Sequence, residues 1–268
     1  MITHKKAICR AMVGLMAISP LAGFAACTAQ SGATTAALVE LYTSEGCSSC
    51  PPADEQLRHL REAIDPAASV VALALHVDYW DSIGWKDPYA KPEFAERQRW
   101  LVQRHGDATV YTPHFFVSGT ALGSWRGGLR GEIRQLNTRA AVADVGFQAA
   151  LSPTGDRLDI QADAITHSAA TRAALYVVVA ENGLVSKVTR GENSGSTLAH
   201  DHVVREWIGP ITLKDGKTHF QQAVTLPATW NRAQLEVAAF VEDARTGEVL
   251  QAAGAQQCAR RPAAAITG

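Results

Sequence analysis

Charge of one sign is what this chain of 268 residues lacks most plainly: 25 Lys and Arg against 26 Asp and Glu leave a formal net charge of −1. The signs are intermixed, so there is no basic field for nucleic acid and no acidic tail, and charge identifies no partner. Long apolar runs are also missing once the N-terminus is set aside, which excludes a membrane-spanning helix of ~18 or more residues. There is no internal repeat and no low-complexity tract. Cysteine is scarce, with five residues, so the position of each one matters.

The single long apolar run is at the start. Lys5, Lys6 and Arg10 precede residues 11–26, which are almost wholly apolar or small, and an Ala/Gly/Cys-rich stretch follows. This is the pattern of a secretory signal peptide over residues 1–29, cut between about Ala25 and Ala29, and it points to a periplasmic or secreted protein. A lipid anchor on Cys27 is the alternative, but it needs an aliphatic residue where Phe24 stands. Removing the leader leaves ~240 residues, enough for one large domain or two of ordinary size. Cys9 goes with the leader. Cys258 then needs a partner in an oxidising compartment. Cys27 is that partner if cleavage falls before it, because the ends of compact domains often lie close together.

The first half of the mature chain alternates strand and helix signals. Ala37–Tyr42 reads as a buried strand, Ala53–Ile64 as a helix opened by Pro51-Pro52, and Val70–Val77 as a strand covered on both faces. Glu93–Arg104 reads as a second helix, Phe115–Ser118 as a strand, Ala121–Trp125 as its partner, and Leu129–Ala140 as a third helix. From about Val145 the signals are short strands separated by turn residues: Gly146–Leu151, Leu158–Ala164, Leu175–Glu181, Val203–Trp207, His219–Leu226, Leu235–Glu242 and Val249–Ala252. The expectation is an α/β domain over residues 34–143, an all-β immunoglobulin-like sandwich over 144–256, and a flexible tail over 257–268.

Cys47-Ser48-Ser49-Cys50 falls between the first strand and the first helix. Two thiols at i, i+3 can close on each other, and a helix N-terminus favours the first as the thiolate that attacks disulfides. A structural disulfide and half of a zinc site share this spacing, but a zinc site needs a second ligand pair and the sequence has none. The expected roles are Cys47 as the exposed attacking thiolate and Cys50 as the buried resolving thiol. No cofactor is called for, and the substrate would be a protein or a low-molecular-weight thiol or disulfide.

The order β-α-β-α-β-β-α, with Cys47 and Cys50 opening the first helix and Thr112-Pro113 entering the third strand, resembles a thioredoxin fold. That resemblance implies a cis Pro113 facing the dithiol, and a proton-accepting role for Glu40, on the strand that leads to it; a solvent-facing Glu40 and a trans Pro113 are the plain alternatives. The sequence departs from thioredoxins in having Gly46 before the pair and Ser48-Ser49 within it. More closely, Glu40–Asp54, His76–Pro88 and Val110–Pro113 together resemble the secreted domain of unknown function 1223 family over residues 36–255, which adds no reaction.

His76–Pro88 carries Tyr79, Trp80 and Trp85 without helical or strand period, with Tyr89 just beyond, and is read as the wall of a site. His76 and Asp78 end a strand next to the dithiol strand, so they could approach Cys47; a satisfied strand-end histidine is the plainer account. His114 follows Pro113, and with Cys47, Cys50 and His76 it would complete a copper or zinc set, the alternative being a metal-handling or purely binding module. The polar stretch Thr189–His202 is either a mobile connection or a cover that brings Arg190, Asn193, His200 and His202 to the dithiol.

Overall fold

The computed structural model describes residues 26–167, 172–256 and 258. Most of the expected leader and tail lie outside these residues. Among the described residues strands dominate: β1 (Ala26–Gln30), β2 (Ala37–Thr43), β3 (Val70–His76), β4 (His114–Val117), β5 (Thr120–Ala121), β6 (Ala143–Leu151), β7 (Arg157–Thr166), β8 (Ala173–Glu181), β9 (Leu184–Lys187), β10 (Thr197–His200), β11 (Val203–Thr212), β12 (Lys217–Thr225), β13 (Leu235–Asp243) and β14 (Val249–Ala255). The α-helices are α1 (Pro51–Arg58), α2 (Leu60–Ala63), α3 (Pro92–Arg104) and α4 (Trp125–Asn137).

Their arrangement overturns the expected fold class. One eight-stranded sheet runs in the order β14-β13-β8-β11-β3-β2-β4-β5, so strands from both halves of the chain belong to it. Among the described residues the first half does not form a self-contained α/β thioredoxin-like domain, and the strands of the second half do not stand apart as a separate immunoglobulin-like sandwich. The reason lies at the outer edge of β3, which pairs with β11 through Val203 opposite Ala74 and through the Ala74 N–H to the His202 carbonyl at 2.8 Å. Through that junction β8, β13 and β14 join the same sheet. Apolar patterning says which faces are buried, but it does not say which edge pairs with which.

Side-chain alternation along the strands sorts the sheet into two faces. Leu38, Tyr42, Leu73, Leu75, Phe116, Tyr176, Val178, Val204 and Phe240 face α3, whose Phe94, Ala95, Leu101 and Val102 recur at helical spacing. The opposite face is divided. Over β2, β3 and β4 it is covered by α1 and α4, with Ala37, Val39, Leu41, Phe115 and Val117 meeting Ala53, Leu57, Leu129 and Ile133. Over β8, β13 and β14 it is covered by a second, antiparallel sheet of order β1-β6-β7-β12.

Strand β1 takes the outer edge of that second sheet, and a leader ending at residue 29 would remove it. Its Cys27 is bonded to Cys258, with Cα atoms 4.8 Å apart and 231 residues between them in sequence. A crosslink closing so long a loop constrains the unfolded chain by about 5 kcal/mol. A sulfur engaged in this bond carries no lipid thioether.

Candidate functional site

Strands β2 and β3 run parallel with Thr43 opposite His76, so both leave the sheet at the same end. From Thr43 the chain turns tightly: the Cys47 N–H donates to the Ser44 carbonyl at 3.1 Å and the Cys50 N–H to the Cys47 carbonyl at 3.2 Å. Cys50 already has helical angles (φ −79°, ψ −37°) and caps α1. Cys47 and Cys50 form a disulfide with Cα atoms 5.4 Å apart.

Two expectations about this pair need correction. The helix start offers no free N–H groups to Cys47, because Pro51 and Pro52 have none and those of Ala53 and Asp54 donate to the Cys50 carbonyl at 2.8 and 3.1 Å. Nor is Cys47 exposed. Both cysteines have 0% accessible surface, while Ser48 and Ser49 between them face solvent. The Ser49 hydroxyl lies 3.3 Å from Cys47 Sγ.

The turn between β9 and β10 covers the pair. Asn193 Nδ2 donates to the carbonyls of Glu45 at 2.8 Å and Cys47 at 3.0 Å. The Ser48 N–H donates to Glu192 Oε2 at 3.0 Å, and the Ser48 hydroxyl together with this N–H lowers the Glu192 pKa. Gly191 (φ +74°) lies so close to Trp85 that a Cβ there would stand 3.2 Å from the Trp85 Cβ. Asn193 and His200 thus reach the dithiol region, whereas Arg190 stays exposed. His202 turns away to Glu236 at 2.8 Å. Burial pulls its pKa down, but that hydrogen bond and charge raise it overall.

A buried histidine–carboxylate cluster lies at the same end of the sheet. His76 Nδ1 donates to Asp87 Oδ2 at 2.7 Å, and that oxygen also accepts the Glu45 N–H at 2.8 Å. Glu45 accepts from His200 Nε2 at 3.1 Å and from Trp85 Nε1 at 2.7 Å. The rings of His76 and His200 meet edge to face at 5.0 Å, with Tyr89 5.4 and 5.8 Å from them. Asp54, on the sheet-facing stripe of α1, places Oδ2 3.9 Å from His200 Nδ1. Four atoms here, Thr43 Oγ1, Asp54 Oδ1, His76 Nε2 and His200 Nδ1, are buried without a close hydrogen bond, though the Thr43 hydroxyl is near enough to the Asp54 carboxyl to act on it. Burial raises the Asp54 pKa. For His76 burial acts downward, but the Asp87 carboxylate outweighs it and the net shift is upward; Asp87 is correspondingly lowered, against its own burial.

The other expected site residues divide between the two faces. Trp80 spans the gap between the dithiol loop and the Thr112-Pro113 loop: its Nε1 donates to Thr112 Oγ1 at 2.8 Å, and a Cβ on Gly46 would come within 3.0 Å of its Cβ. The Thr112-Pro113 bond is cis. Asp78 is half-buried and its carbonyl accepts the Asp81 N–H at 3.0 Å. Glu40 and His114 lie on the α3 face, across the sheet from α1. Glu40 is held there by Arg97 at 2.7 and 3.2 Å. His114 stacks on Tyr111 at 4.1 Å, and burial lowers its pKa to about 4. Glu40 is therefore badly placed to take a proton from Cys50, and His114 does not share a ligand set with His76. Among the described residues no three His, Cys, Asp or Glu side chains are arranged to hold a metal ion. A cavity of about 280 Å³ lies elsewhere, between α2 and the strand ends near His202 and Glu236.

The sequence reading missed Glu45, Asp54 and Asp87. Asp54 alone left a signal, as a carboxylate at a position where an amphipathic helix buries an apolar residue.

Fold and site together define a β-rich protein with a covered Cys-x-x-Cys disulfide beside a buried histidine–carboxylate cluster. The chain belongs to the family described as "Protein of unknown function (DUF1223)", whose model matches residues 38–242. A comparison with curated proteins returns no match. Among solved structures the chain is similar to HBP35 of Porphyromonas gingivalis, with 18% identity, TM-score 0.68, and 89% of this chain and 80% of that one covered. It is also similar to protein AGR_C_4864 from Agrobacterium tumefaciens, with 24% identity, TM-score 0.54, and coverage of 86% and 98%. At these identities the likeness is one of fold. No helix among the described residues is long and apolar enough to cross a membrane.

Proposed function

We propose that this protein is an exported thiol–disulfide oxidoreductase, periplasmic or secreted, acting through Cys47 and Cys50 on a protein or low-molecular-weight thiol or disulfide. The observation that carries this is the position of a disulfide spanning three residues at the junction of β2 and α1, next to buried, incompletely paired acid–base groups. A loop this short contributes only about 2 kcal/mol of unfolded-state constraint, so stability alone is a weak reason to retain the bond. Two disulfides suit an oxidising compartment. Cys47, outside the helix, attacks once the turn bearing Asn193 lifts; Cys50, at the cap of α1, resolves.

A second reading is favoured by the covered sulfurs: a binding module in which the pair is a staple or a metal clasp. Mixed-disulfide trapping separates the two. After reduction, Cys50→Ser is expected to capture thiol-bearing proteins or glutathione through Cys47, and Cys47→Ser to capture none. A pair with a potential below about −300 mV that captures nothing would establish the staple instead.

A further inference from the structure

We propose that Asp54 accepts the proton of the Cys50 thiol and that His200 positions it, an inference that rests on the exchange reaction proposed above. Cys50 has helical backbone angles, so Asp54, four residues on, shares its face of α1 and points with Ala53 and Leu57 toward the sheet. A carboxylate buried to 8% exposure is costly unless paired, and Asp54 is only partly paired. Its Oδ1 makes no close hydrogen bond, the Thr43 hydroxyl is the one neutral donor acting on the carboxyl, and its Oδ2 stands beyond hydrogen-bond length from His200 Nδ1. His200 is fixed from behind, because its Nε2–H donates to Glu45, which leaves Nδ1 facing Asp54. The backbone of Glu45 is clamped in turn by Asp87 and Asn193. The other groups around Asp54 are Thr43 and His76 from the sheet and Asp87; Arg58, one turn along α1, turns to Asp201.

The step balances as follows, written in the reducing direction. The Cys47 thiolate attacks a substrate disulfide R–S–S–R′, forming Cys47–S–S–R and releasing R′S⁻. The Cys50 proton passes to Asp54, and the Cys50 thiolate attacks the Cys47 sulfur. The bond from Cys47 to the substrate sulfur breaks and RS⁻ leaves. One departing thiolate regains the proton held by Asp54 and the other takes one from water; two electrons have moved from the dithiol to the substrate. Oxidation of a substrate dithiol runs the same path backwards.

The test separates the closing step from the opening one. Reduced full-length protein is mixed with one equivalent of dithiobis(nitrobenzoate), and the two releases of nitrothiobenzoate are followed between about pH 5 and pH 9. The first reports attack by Cys47 and the second closure by Cys50. Asp54→Asn is expected to leave the first release unchanged, to slow the second at least about tenfold near pH 6, and to rejoin the wild type near pH 9, where the thiol ionises unaided. His200→Gln is expected to move the midpoint of the closing profile by about one pH unit. A loss uniform in pH, or an unchanged profile, overturns the inference. If Asp54→Asn does not fold, an unmoved profile in His200→Gln overturns it equally. Absence of the first release in the wild type overturns the exchange reaction itself and this inference with it, whereas a normal first release with pH-independent closing overturns only the role of Asp54.

Discussion

Arg97 and His200 are buried basic side chains on opposite faces of one sheet, each between two carboxylates, and their surroundings differ. Arg97 donates to Glu40 at 2.7 and 3.2 Å and to Glu242 at 2.7 Å, and its guanidinium lies 4.8 Å from the Trp207 ring centroid. Nearly every group there has a partner, with Glu242 Oε1 the exception. Burial is the largest influence on Glu242 and raises its pKa even beside Arg97. At the dithiol end Glu45 is satisfied, but Thr43, Asp54, His76 and His200 each retain a buried atom without a close hydrogen bond. A cluster that only holds structure together has reason to close its hydrogen bonds, since each open one costs stability. One that moves protons must keep acceptors open. On the exchange reaction proposed above, the His200 side is the chemical one and the Arg97 side structural, and the difference in open hydrogen bonds is what that proposal expects.

The largest test of this contrast is Arg97→Met. It strands two carboxylates at 0% exposure, and a loss of about 3–5 kcal/mol in urea unfolding is expected. A loss below about 1 kcal/mol would remove the structural role given to that cluster.

Next in size is a pH dependence at the other cluster. Folding raises the pKa of His76, so its contribution is complete below the unfolded value of about 6.5 and is lost as pH rises through the folded value. Folding lowers the pKa of Asp87, so its contribution is present above about 3.9 and is lost as pH falls through the folded value. The unfolding free energy read from urea titrations should therefore fall as pH rises above about 6.5, by at most about 1.4 kcal/mol per pH unit for this proton. His76→Gln should flatten that slope, leaving the parts due to His202 and to the raised carboxyls of Asp54 and Glu242. An unchanged slope would mean that His76 is not the titrating group.

The smallest effect is expected for Asn193→Ala, which removes two hydrogen bonds to backbone carbonyls at the dithiol loop. Stability should fall by about 1 kcal/mol, and reduction of Cys47–Cys50 by dithiothreitol should become about fivefold faster. An unchanged reduction rate would show that this turn does not gate the pair.

The amino-acid sequence determined the local elements that carry the site. Periodicity marked β2, β3 and α3 to within one or two residues, because burial of one face writes itself into residue spacing whatever the partner. Cys47 and Cys50 were legible from their spacing, and the proximity of Asn193 and His200 was one of two readings open to a polar stretch. The tertiary structure decided the rest. The junction of β11 with β3 is a backbone pairing that leaves little mark on side-chain composition, so the merging of both halves into one sheet was not legible. Alternation along β2 turns Glu40 toward Arg97 and away from α1. The fold of the β9–β10 turn over the Cys47 loop then buried the sulfur that the local pattern had placed in solvent, since exposure is a property of what packs against a residue and not of the residue's own neighbours in sequence.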